Sequence, residues 1–170
     1  MALRSIVYSD EPLIRKKSRE VVDFDENLEQ LLEDMYETMQ KEDGVGIAAP
    51  QIGVLRQIVV IEANGMKLEL INPKILETSG AQDSFEGCLS VREYNGKVIR
   101  PYRVKIEAQD RFGTKFQMQV EGFMATVFCH EIDHLSGILF IDKAVELYKK
   151  NDPKAYDKFL ADKKEDKKWK

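Results

Sequence analysis

Apolar positions change period along this chain, and the changes mark out its elements. Leu28, Leu31, Leu32, Met35 and Met39 recur three and four residues apart after the acidic turn Asp23-Phe24-Asp25, the spacing that stacks side chains on one face of an α-helix. This predicts a helix with a core-facing stripe. Upstream, Asp10 is placed to cap a short helix with Pro12 in its first turn. Downstream, residues 56–63 contain the run Ile58-Val59-Val60-Ile61, which reads as a buried strand. Residues 66–72 and 74–78 read as two more strands, set off by an Asn64-Gly65 hairpin turn and an Asn72-Pro73 turn. Residues 97–110 and 115–121 form another strand pair, joined by Arg111-Phe112-Gly113-Thr114. Phe123, Val127, Leu135 and Ile138 then bracket an interior helix that Gly137 stops, and residues 138–141 read as a last short strand. Helices, a block of mostly antiparallel strands, a further helix and a tail make an α+β layout.

Composition narrows the class. At 170 residues, with 43% hydrophobic and 33% charged residues, the chain has the length and balance of one globular domain with a proper core. We expect residues 1–148 to form a single catalytic domain and 149–170 a basic C-terminal helix or tail of the same domain. A net charge of −4 and a pI near 5.4 argue against a nucleic-acid binder as a whole, so no direct DNA binding is expected. Residues 1–5 carry no long apolar core of a signal peptide, and no apolar run is long enough to span a bilayer. A cytoplasmic location follows as the expectation. Two cysteines without framework spacing read there as a free thiol or a ligand.

The chemistry concentrates in Phe128-Cys129-His130-Glu131-Ile132-Asp133-His134-Leu135, which contains the pattern HExxH and both histidines of the chain. Four residues apart on a helix, His130 and His134 can hold one metal ion, with Glu131 beside them as a base. A solvated face with two incidental histidines is the bland alternative, and the apolar flanks argue against it. A hydrolytic metal takes three protein ligands. The longer pattern HExxHxxGxxH fails at Phe140, which cannot coordinate. Glu146 would complete a thermolysin-like site and an endopeptidase. Cys129 points about 100° away from His130 on a helix, whereas Cys88, in Glu86-Gly87-Cys88-Leu89-Ser90, is under no such restriction. A metal-binding protein without activity is the third possibility. A separate stretch, Gly44-Val45-Gly46-Ile47-Ala48-Ala49-Pro50-Gln51-Ile52-Gly53, is built for close backbone approach or for a tight helix-to-strand connection. It is no phosphate loop, lacking GK[ST], and the Gln51 amide can donate to an oxyanion.

GVGIAAPQIG at 44–53, EGCLS at 86–90 and HEIDHLSG at 130–137 are similar, in order and spacing, to the three motifs of peptide deformylase. The likeness runs over nearly the whole chain. It implies antiparallel sheets packed around the HExxH helix, and Cys88, His130 and His134 as metal ligands. It also implies ferrous iron as the native cofactor, with zinc, nickel or cobalt possible, and N-formyl-methionyl nascent peptides as substrate. The resemblance gives Glu131 the proton transfer to the departing amine, and gives Gln51 and the Leu89 N–H the oxyanion. It lays the substrate as a strand along Val45 and Gly46. Val45, Phe123 and Val127 are the candidates for the methionine pocket, ordinary core being their alternative role. Glu86 and Arg100 match a charged pair expected to brace the Cys88 segment. Two positions depart from the family pattern: Arg92 stands where proline is usual, and Cys129 where glutamine is common. Residues 149–170 hold nine lysines against five acids, a local basic end that suits ribosomal RNA or simple solubility.

Overall fold

The computed structural model describes residues 2–166. Residues 167–170, with three lysines of the expected basic tail, lie outside the described residues. The elements run α1 (Glu26–Lys41), β1 (Gly46–Ala48), β2 (Ile58–Ala63), β3 (Met66–Ser79), β4 (Gln82–Cys88), β5 (Val91–Arg100), β6 (Arg103–Gln109), β7 (Lys115–Glu121), α2 (Phe123–His134), α3 (Phe140–Lys143), β8 (Glu146–Lys149) and α4 (Ala155–Asp166). Short 3-10 turns cover Pro12–Arg15 and Ala49–Ile52. A five-stranded sheet has the order β1-β2-β3-β6-β7 and a three-stranded sheet the order β4-β5-β8, every pairing antiparallel. This is the expected α+β architecture with a C-terminal helix. Among the described residues no helix is long and apolar enough to cross a membrane.

The five-stranded sheet is covered on both faces, which is why its second strand opens with the fully buried apolar run Ile58–Ile61. Ile58 and Val60 pack with Leu28, Leu32, Met35 and Met39 of α1 on one face. Val59 and Ile61 point to the other, where Met124, Ala125 and Phe128 of α2 meet Leu70, Val104 and Ile106. Asp25 starts α1 by accepting from Leu28 N at 3.0 Å. Asn64 and Gly65 both have positive φ, 52° and 75°, as a tight hairpin between β2 and β3 requires. The smaller sheet buries Cys88, Val91 and Val98 with Ile14, Leu139 and Phe140.

Several expected elements come out differently. Residues 66–72 and 74–78 belong to one continuous strand, and Asn72-Pro73 is a bulge in it rather than a turn. Asn72 adopts φ 51°, Pro73 has no N–H for the ladder, and the Asn72 side chain bonds Val21 and Gln109 instead. Residues 97–110 are two strands, broken at Pro101, with β5 and β6 in different sheets. Residues 138–141 form no strand: α3 begins at Phe140, where Asp142 accepts from Leu139 N at 2.9 Å. The first 3-10 turn follows Glu11, without a side-chain cap from Asp10. Strands β1, β4 and β8 had no clear periodic signal.

Asp34, on α1, fastens the N-terminal segment. It accepts from Ala2 N at 2.8 Å, from Arg4 Nε and Nη2 at 3.0 and 2.7 Å, and from Gln30 Nε2 at 2.9 Å. Burial pushes this carboxyl up, but the bonds from Arg4, Gln30 and Ala2 outweigh it and hold the pKa below the ordinary value. A depressed folded-state pKa stabilises above the unfolded value of about 3.9, and that contribution disappears as pH falls through the lower folded value. Asp34→Ala is expected to lower stability in urea unfolding by about 1–3 kcal/mol at pH 7, and the gap to the parent to close on acidification below pH ~4. Gly137 has φ 73°, and an added Cβ would lie 2.2 Å from the Arg15 carbonyl oxygen. Gly137→Ala is therefore expected to cost more than about 2 kcal/mol, seen as a lower melting temperature; an unchanged melt would refute the close approach.

Candidate metal centre

Three elements bring the chemistry-bearing residues together. Helix α2 supplies His130 and His134, whose rings lie 5.2 Å apart at 74°, one helical turn from each other on the same face. The end of β4 supplies Cys88, paired with Val91 across the β4–β5 hairpin turn. The 3-10 turn after β1 supplies Gln51. One ligand atom from each of Cys88, His130 and His134 lies within 4.8 Å of the others, and all three residues are buried.

These donors fit a metal. A thiolate at about 2.3 Å and an imidazole at about 2.0–2.1 Å from one tetrahedral ion stand roughly 3.5 Å apart. Cys88 Sγ and His134 Nε2 are 3.5 Å apart. His130 Nδ1 faces Glu86 Oε1 at 2.7 Å, which leaves Nε2 as the free ring nitrogen. Burial opposes ionisation of the Cys88 thiol, yet His134 and His130 outweigh it and bring its pKa well below the ordinary value. The shift favours the thiolate, the form that binds metals.

The Glu86–Arg100 pair is buried, with the two residues 4% and 3% exposed, so it is no surface ion pair. Arg100 Nε and Nη2 each donate to Glu86 at 2.9 Å, and Nη1 donates to Asp133 at 2.7 Å. Burial raises the Glu86 carboxyl, but Arg100 and His130 hold it down at about 2. One carboxylate therefore ties β4, β5 and α2 together immediately behind the histidine.

Around this centre lies a cavity of about 320 Å³, bordered by Val45, Gly46, Gln51, Phe123, Val127 and Glu131 among others. Gln51 Oε1 accepts from Ala48 N at 2.9 Å, which turns the amide nitrogen toward Cys88 Sγ (3.5 Å) and Ser90 Oγ (3.3 Å). Glu131 is buried, burial raises its pKa, and its Oε2 has no hydrogen-bond partner within the described chain. A Cβ on Gly46 would come within 2.9 Å of that carboxylate, so the glycine allows β1 to lie against Glu131. Phe123 is 53% exposed at the cavity rim, while Val127 is 5% exposed. Glu146, the alternative third ligand, is exposed on β8 and outside the donor cluster. Cys129 is buried, its thiol pushed up to about 11 by burial, and it too lies outside the cluster.

Some neighbours of the site carried no readable signal. Ser90 sits within the EGCLS motif, but its bond to Gln51 depends on tertiary contact. Thr126 and Lys150 border the cavity; one lies inside an apolar helix and the other in a lysine-rich tail.

A family model described as polypeptide deformylase matches residues 3–150. The peptide deformylase of Caldicellulosiruptor bescii is 50% identical over 145 residues, 85% of this chain and 87% of that one. Peptide deformylase 2 of Clostridium acetobutylicum is 48% identical over 150 residues, 88% of this chain and all of that one, at 100%. The solved peptide deformylase of Thermotoga maritima, 38% identical, superposes with a TM-score of 0.84 over 86% of this chain and 100% of its own. The chain belongs to the peptide deformylase family, as a metal-dependent hydrolase that removes the N-formyl group from the N-terminal methionine of newly synthesised proteins.

Proposed function

We propose that Cys88, His130 and His134 hold one cation, Fe(II) in the working enzyme, and that Glu131, Gln51 and the Leu89 N–H carry the chemistry on the formyl group. The convergence of one thiolate and two imidazoles within 4.8 Å is the observation that supports this assignment most directly. A mixed sulfur and nitrogen set suits ferrous iron, and zinc, nickel or cobalt can take the same place. When bound, the cation supplies Lewis-acid polarisation and acidifies water.

The chain's own groups do the rest. Glu131, with a raised carboxyl and an unbonded oxygen at the cavity, takes a proton from water and passes it to the departing methionine amine. Gln51 Nε2 and Leu89 N–H donate to the oxygen of the formyl group as charge builds on it. The formyl-methionyl chain adds along β1, which is the edge strand of its sheet. Val45, Phe123 and Val127 receive the methionine side chain. The reaction takes place in the cytoplasm on emerging peptides. The excess of lysine in residues 149–170 supports a salt-sensitive approach to ribosomal RNA.

The direct test is formate release from formyl-Met-Ala-Ser by anaerobically purified protein with its iron content recorded. Cleavage of casein instead, unaffected by Cys88→Ala, would refute the assignment. Glu131→Gln is expected to lower turnover by at least about 10²-fold while metal content stays at the parent's level. Glu86→Gln is expected to weaken metal affinity by about 10–100-fold, read by chelator competition, because His130 loses the carboxylate that orients its ring.

A further inference from the structure

The turn between β4 and β5 carries Leu89, and the residues that flank it, Cys88 and Val91, face each other across the ladder. One side chain grips both from outside the hairpin. Lys150, just past the end of β8, donates through Nζ to the Val91 carbonyl at 2.7 Å and to the Cys88 carbonyl at 3.3 Å. Its backbone N–H donates to Glu93 O at 2.9 Å, so β5 fixes the point from which the lysine reaches. Lys150 also borders the cavity that contains Gln51 and Glu131.

The carbonyl of Cys88 and the N–H of Leu89 are the two ends of one planar peptide group. Whatever holds the oxygen sets the direction of the hydrogen. An ammonium bonded to that oxygen also draws electron density across the amide and strengthens its N–H as a donor. We propose that Lys150 is a positioning residue for the deformylation reaction, orienting and polarising the Cys88–Leu89 peptide toward the developing oxyanion. This rests on the role given above to the Leu89 N–H. The ammonium acts where charge develops rather than on the methionine side chain, so its effect falls on kcat rather than on KM.

Lys150→Met keeps most of the aliphatic stem and removes the charge; Lys150→Arg keeps the charge. Both are assayed as metal-loaded enzyme on formyl-Met-Ala-Ser, with melting temperature and metal content recorded. Losing an oxyanion donor outright costs about 10²–10³-fold in kcat, and a weakened donor is expected to cost about tenfold. The expected result for Lys150→Met is that fall in kcat with KM and metal content unchanged, and for Lys150→Arg recovery of most of the loss. In amide ¹H–¹⁵N spectra of the zinc-loaded protein, the Leu89 resonance should move upfield in Lys150→Met and stay near the parent position in Lys150→Arg. An unshifted Leu89 amide, or a loss confined to melting temperature, overturns the part given to Lys150 and leaves the role of Leu89 standing. A shifted amide with unchanged kcat overturns both.

Discussion

Everything at the centre depends on Glu86 standing ionised out of water between Arg100 and His130. It is held by two bonds from the guanidinium and faces Nδ1 of the imidazole at 2.7 Å. Ser84 Oγ donates to the same carboxylate at 2.5 Å. Burying such a pair forfeits several kcal/mol of hydration per ion, which the mutual attraction only roughly offsets. Its value is therefore positional. Cys88 lies two residues beyond Glu86 on β4, while His130 and His134 lie on α2, so the carboxylate fixes the hairpin against the helix at the spacing a metal needs.

The histidine helix serves both sheets. Met124, Ala125 and Phe128 bury themselves against the five-stranded sheet, while His130 stacks on Phe140 of α3 at 6.0 Å, within reach of the smaller sheet's cluster. A helix immersed on both flanks has few places left for polar groups, and among these Thr126, His130 and Glu131 border the cavity. Asp133 continues the network outward by bonding Arg100 and Lys143. The cavity is thus the seam between two sheets that share one helix.

Close approach on the other wall comes from the glycine segment. β1 is only three residues long, yet it carries Gly46 against Glu131 and hands the chain to the turn that aims Gln51. The small side chains that look like an empty connection in the sequence are what lets a buried carboxylate, an amide and a strand edge meet in one place.

By itself the sequence determined the helical stripe of α1, the buried run of β2, the Asn64-Gly65 hairpin and the HExxH helix. Each of these follows from local spacing or local dihedral preference. Its three motifs, through their likeness to those of peptide deformylase, also pointed to Cys88, His130 and His134, which the fold brings within 4.8 Å of one another. Only the tertiary structure decided which strands share a sheet: Pro101 divides an apparently continuous strand between two sheets, and Asn72 bends another without ending it. The same holds for Ser90, Thr126 and Lys150, whose contacts join residues far apart in the chain. Periodicity reports the face a residue turns to the core, whereas a site is made by what lies across from that face, and that is set by packing of the whole chain.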